Sequence, residues 1–143
     1  MSTEENKAID RRLFEEGWNQ GNTAVFDEFI AADYIGHDPG GPTHGLEGYK
    51  QFYAGVRSAF PDLHLTLEDH IAEGDRVVSR WTMTGTHLGE LQDGTPPSGK
   101  RMTITGMTIT RYASGKLEED WANYDALGLL QQIGAIPTPE QAG

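Results

Sequence analysis

Residues 46–87, LEGYKQFYAGVRSAFPDLHLTLEDHIAEGDRVVSRWTMTGTH, change their hydrophobic period once, and that change decides the fold. Up to Phe60, the apolar residues Leu46, Tyr49, Phe52, Tyr53, Val56 and Phe60 recur at helical spacing, which predicts a long helix stopped by Pro61. Beyond Pro61 the period is two. Leu63, Leu65 and Leu67 alternate with polar residues, Gly74 and Asp75 signal a turn, and Arg76 to His87 carries the β-branched and aromatic residues of a second strand.

Outward from this hairpin, Glu90 to Lys100 is a Gly- and Pro-rich loop leading into a Thr- and Ile-rich strand, Arg101 to Tyr112. Ser114 and Gly115 turn that strand onto Lys116 to Tyr124, and Ala126 to Ile133 reads as a helix ended by Gly134, with a short flexible tail from about 137. On the other side, Ile9, Leu13, Phe14 and Trp18 place a helix over Glu4 to Gln20 with Thr3 as its N-cap. Asn22 or Thr23 caps a second, short helix carrying Val25, Phe26, Phe29 and Ile30 on one side. Between them and the long helix, YIGHDPGGPTHG (34–45) reads as a brief extended piece followed by a shaped loop. The expectation is an α+β single domain over 1–143: three helices, a meander of about four antiparallel strands with a short extra strand near Tyr34, and a final helix. A sheet strongly curled around the long helix leaves a cavity between them.

Composition narrows the function classes. Hydrophobic residues make up 36% of the chain and charged residues 23%, an ordinary globular balance. The net charge of −11 repels nucleic-acid phosphates and anionic lipid headgroups, so neither nucleic acid nor membrane is an expected partner. There is no cysteine, which removes thiolate nucleophiles and disulfides and fits a reducing, cytoplasmic setting, and MSTEENKAIDRR has no apolar leader core.

No phosphate loop, nucleophile elbow or His-Glu-x-x-His helix is present, so chemistry must come from scattered polar residues. His64 and His70, six apart on one strand, are expected on one face; with no paired carboxylate at matching spacing, no metal is expected. His87 ends a strand in TGTHLGE, where it either works as a proton donor at a cavity rim or holds the following loop. His37 either organises its Gly-rich loop or contacts substrate. Glu118 to Asp125 concentrates carboxylates on the last strand, where Asp120 and Tyr124 share one face and Glu119, Trp121, Asn123 and Asp125 the other; either face can meet the cavity. A carboxylate in an apolar pocket has a raised pKa and becomes a competent base near neutral pH, so Asp120 and Asp125 are the candidate bases. Trp81, Met83 and Trp121 on strands, with Phe52 and Val56 on the long helix, are candidates to line an apolar pocket for a flat hydrophobic or aromatic molecule.

The segments FPDLHLTLEDHIAEGDRVVSRW, GTHLGEL with PPSGK, and SGKLEEDW with the closing D-x-x-x-L-x-Q-Q-I-G resemble, in this order, the SnoaL-like polyketide cyclase (ester cyclase) family of the nuclear-transport-factor-2-like fold. The resemblance covers most of 34–137. It implies a cone-shaped α+β barrel, a homodimer through the sheet, a hydrophobic cavity, and intramolecular aldol ring closure without metal or cofactor. In it an aspartate removes a carbon-bound proton. Placed on the family pattern, that aspartate falls at Ala122 and a histidine of the preceding strand falls at Thr108, while His87 in GTHLG matches. Asp120 would project to the same face as Ala122 and can substitute as base. Two other readings remain open: a non-catalytic hydrophobic ligand-binding protein, and an epoxide hydrolase using Arg80 or Arg111.

Overall fold

The computed structural model describes residues 2–139; the end of the expected tail lies outside them. Helix α1 spans Thr3–Arg12. Its N-cap is Ser2 rather than Thr3: Ser2 Oγ accepts from Glu5 N at 3.1 Å and the Glu5 carboxylate accepts from Ser2 N at 3.2 Å, a capping box. The helix does not stay α-helical to Gln20 but continues as a π-helical stretch, Leu13–Asn19. There Gly17 lies so close to Phe26 that a Cβ would stand 2.5 Å from the ring.

Helix α2 follows at Ala24–Phe29, then strands β1 (Ile30–Asp38) and β2 (Gly41–His44), and the long helix α3 (Gly45–Ala59), which ends just before Pro61. Strands β3 (His64–Glu73), β4 (Arg76–Thr86), β5 (Arg101–Ala113) and β6 (Lys116–Tyr124) lead to helix α4 (Ala126–Gln132). They form one six-stranded sheet in the order β2-β1-β6-β5-β4-β3, antiparallel except where β1 runs parallel to β6. The piece near Tyr34 is therefore not a short extra strand. It is nine residues long and returns through Pro39 and Gly40, where Gly40 N donates to Asp38 Oδ1 at 2.7 Å. The Gly and Pro density that suggests a loop serves a tight hairpin turn instead.

A second departure concerns β3. Its register against β4 shifts between Leu67 and Asp69, so His64 opposes Thr84 and stays exposed while His70 opposes Ser79 and turns inward. One bulged residue reverses side-chain parity, and the two histidines occupy opposite faces instead of one.

The sheet curls around α1 and α3. One buried cluster joins Ile9, Phe26, Ile30, Val77 and Leu117; a second joins Phe60, Leu65, Trp81, Met83, Met102 and Ile104. The outer face of the sheet leaves Ile35, Ile71, Met107 and Ile109 exposed. Among the described residues no helix is long and apolar enough to cross a membrane.

Candidate active site

Between the helices and the inner face of the sheet lies a cavity of about 490 Å³, within the range that holds a drug-sized ligand. Its apolar wall includes Phe52 and Val56 from α3, Trp81 and Met83 from β4, and Leu13, Phe14 and Trp18 from the first helical segment. Trp81 lies across Gly106, where a Cβ would stand 2.4 Å from the indole, and donates from Nε1 to Thr108 Oγ1 at 3.0 Å. Thr108 and Tyr124 also line the cavity.

Strand β6 divides its faces between the cavity and the exterior. Asp120, Ala122 and Tyr124 face the cavity. Glu119 and Trp121 face out: Glu119 meets His37 Nε2 at 2.8 Å and Arg111 at 3.3 Å, and Trp121 stacks on the His37 ring beneath the Arg76 guanidinium. Trp121 is thus removed from the pocket. His37 also lines the cavity, with its ring bonded to Glu119 and stacked on Trp121. Thr108 and Ala122 are direct cross-strand partners. Asp120 sits one inward position along β6, opposite Thr110.

Asp120 is half-buried and opens to the cavity. Tyr34 donates its hydroxyl to Asp120 Oδ1 at 2.9 Å. Gly36, opposite Asp120 in the β1–β6 register, makes room for this pair: a Cβ there would stand 2.1 Å from the Tyr34 hydroxyl and 3.1 Å from Asp120 Oδ1. Desolvation is the main influence on Asp120 and pushes its pKa up to about 7; the Tyr34 hydrogen bond opposes it, and the charges of Asp10 and Asp38 add to it. Burial and the Asp120 charge drive the Tyr34 hydroxyl in turn far above its ordinary range, so it remains a donor.

A second carboxylate belongs to no motif of the sequence. Asp10, 1% exposed, faces the same cavity from α1. It is surrounded by the Tyr112 hydroxyl at 2.6 Å, Ser79 Oγ at 2.8 Å, His70 Nε2 at 2.8 Å and the Thr110 hydroxyl at 3.1 Å, the last shared with the Val77 carbonyl at 3.2 Å. The signal for it was a polar residue inside the helical stripe: Asn6, Ile9, Asp10 and Leu13 are all buried on one side.

The remaining sequence candidates are placed elsewhere. Asp125 caps α4, accepting from Gly128 N at 2.9 Å, outside the cavity lining. His87 is fully buried against Phe60; its Nδ1 accepts from Ser98 N at 3.1 Å and lies 3.0 Å from Ser98 Oγ, which ties down the loop after β4. Of the two readings of His87, the geometry matches loop holding. Arg80 pairs with Asp69 at 2.6 Å and Arg111 with Glu119, and neither lines the cavity, so the epoxide-hydrolase arrangement does not assemble.

The SnoaL-like polyketide cyclase family matches residues 8–133. A candidate SnoaL-like polyketide cyclase from Jannaschia sp. CCS1 superposes with a TM-score of 0.87 at 29% identity, covering 94% of this chain and 95% of that one. A candidate polyketide cyclase from Acidithiobacillus ferrooxidans gives 0.81 at 33% identity over 96% and 100%. AclR, a candidate hydroxylase from Streptomyces galilaeus, gives 0.83 at 29% over 95% and 100%. No curated protein matches the chain in sequence.

Proposed function

The chain belongs to the SnoaL-like polyketide cyclase family, and from that premise we propose that it closes a ring in a hydrophobic, carbonyl-bearing, polyketide-like substrate by an intramolecular aldol reaction, with Asp120 as the base. The observation that carries this reading is a half-buried carboxylate on the wall of an apolar cavity, held by one tyrosine and poised near neutral pH. General base catalysis is most effective when the base titrates near the working pH. The apolar wall folds the substrate so that the carbon losing its proton and the carbonyl it attacks lie close together, which converts a difficult encounter into an oriented one. Asp120 takes the proton, the carbanion attacks the second carbonyl, and the new alkoxide recovers the proton from the Asp120 carboxylic acid. Acid–base chemistry on this chain's own residues balances the reaction.

Ala122, where the family's aspartate falls, moves the base by one inward position, toward the Asp10 cluster, a rise of about 7 Å along the strand. The test is deuterium exchange. Aromatic β-keto esters that quench the fluorescence of Trp18 or Trp81 should exchange their acidic C–H in D2O at an enzyme-accelerated rate, read by NMR. Esters that bind without accelerated exchange would instead indicate a ligand-binding protein.

A further inference from the structure

We propose that the Tyr49 hydroxyl is a second catalytic group, the hydrogen-bond donor to the substrate oxygen that becomes negative as the carbon-bound proton leaves. The inference rests on the reading of Asp120 as base and adds the electrophilic half of the site. Tyr49 lies on α3, is 8% exposed and lines the cavity. Its oxygen accepts a hydrogen bond from Trp18 Nε1 at 2.8 Å. An indole N–H can only donate, so this contact occupies a lone pair of the hydroxyl and leaves its hydrogen unused. Among the described residues that hydrogen has no acceptor.

Its position is defined from several sides. The Tyr49 ring packs edge-on against Phe26 at 5.1 Å and against Tyr34 at 5.3 Å. Tyr34 is the residue that holds Asp120, so the base and the free O–H are positioned by one shared ring. Trp18 is fixed in turn, because the Arg57 guanidinium bonds the Trp18 carbonyl and Asn19 exchanges hydrogen bonds with the Leu65 backbone at 2.7 and 2.8 Å. Burial drives the Tyr49 hydroxyl above its ordinary range, so it stays protonated and donating at any working pH.

The electron pair of the broken C–H bond moves onto the adjacent carbonyl oxygen, and a preplaced O–H aimed at that oxygen stabilises it without reorganisation. The proton itself stays with Asp120 until the new alkoxide takes it. No oxidant or further reactant is needed. Thr108 and Tyr124 also carry hydroxyls in the cavity, but Thr108 lies on β5 beside Ala122, one inward position away from the Asp120 level.

Infrared spectroscopy of bound 2-acetylnaphthalene, labelled with 13C at its carbonyl, tests the donor without requiring turnover. The expected result is a carbonyl stretch lowered in the wild type and in Asp120→Asn, and returned to its apolar-solvent position in Tyr49→Phe. A lowered stretch that persists in Tyr49→Phe overturns the proposal, and its loss in Thr108→Val or Tyr124→Phe reassigns the donor. Turnover by Tyr49→Phe should fall by roughly 10²- to 10³-fold, the loss associated with one oxyanion donor, with the acid limb of the pH profile unmoved. If Asp120→Asn keeps full exchange activity, the base assignment fails by itself while the infrared result still reports on Tyr49. Should the ketone not bind, the hydrophobic-carbonyl substrate class is refuted, and both assignments with it.

Discussion

Two carboxylates face one cavity, and they have opposite surroundings. Asp10 is enclosed by three hydroxyls and an imidazole, drawn from β3, β4 and β5. Among the described residues the Asp120 carboxylate has one donor, Tyr34, and it opens onto a mostly apolar cavity. A carboxylate can accept about four hydrogen bonds. Asp10 uses that capacity to pin α1 onto the curled sheet, whereas Asp120 leaves most of it unused and retains an affinity for protons. Acidic residues in a pocket are therefore not interchangeable candidates for a base: the count of donors around each separates the one tied into the fold from the one left open to the cavity.

The largest expected effect tests Asp120. Asp120→Asn should keep ligand binding and lower turnover by roughly 10²- to 10⁴-fold, the range of general acid–base catalysis, as read by kcat and by a fluorescence titration. Removal of the Asp10 carboxylate should appear in stability instead. Asp10→Ala leaves Tyr112, Ser79 and His70 without their acceptor, and a loss of about 3 kcal/mol or more, about 1 kcal/mol or more per orphaned donor, is expected from a denaturant titration. If Asp10→Ala folds with wild-type stability, the contrast between the two carboxylates collapses.

The sequence made the architecture legible wherever one period governed a whole element. Helix α3 and strands β4, β5 and β6 lie within a residue or two of their expected bounds because apolar spacing and the Pro61, Gly74 and Ser114–Gly115 breaks agree. Strand β1 was obscured by Gly36, Pro39 and Gly40, whose reasons are a tyrosine contact and a hairpin turn, both tertiary facts. The bulge at Glu68 was equally hidden, since register exists only with a partner strand. On β6, polar residues populate both faces, so alternation names two sets without saying which is inside. Asp125 and His87 drew notice for their residue types, yet a helix cap and a loop latch need the same types as catalysis does. Asp10 is hard to read from sequence because one acid inside an apolar stripe is a weak mark.

Titration sharpens the contrast. The Asp120 pKa is raised in the folded chain from an ordinary 3.8 to about 7, so below about pH 4 both folded and unfolded chains hold the proton and its stability contribution is complete. Between about pH 4 and 7 only the folded chain holds it, and stability falls as pH rises. Above about pH 7 the deficit is constant, up to about 4 kcal/mol at 1.36 kcal/mol per pH unit. Asp120→Asn should lack this slope, so the variant gains on the wild type across that window in paired denaturant titrations. A flat difference would mean that Asp120 ionises in the folded chain as it does in water. Activity has the opposite sign: the base works ionised, so kcat/KM should rise with pH through about 7.

The smallest effects come from removing one donor from each carboxylate. Tyr34→Phe takes from the Asp120 carboxylate its one side-chain donor among the described residues, the largest influence holding its pKa down, so the acid limb of kcat/KM should move to higher pH. Ser79→Ala takes one donor from Asp10 and leaves His70 on the same oxygen and Tyr112 on the other. The expected cost is about 1 kcal/mol of stability, with the acid limb unmoved, because a shared shell distributes the loss. Both substitutions delete a single hydroxyl from a buried side chain, so their difference isolates the shell and not the size of the change. A pH–rate limb that shifts in Ser79→Ala and stays in Tyr34→Phe would reverse the two assignments.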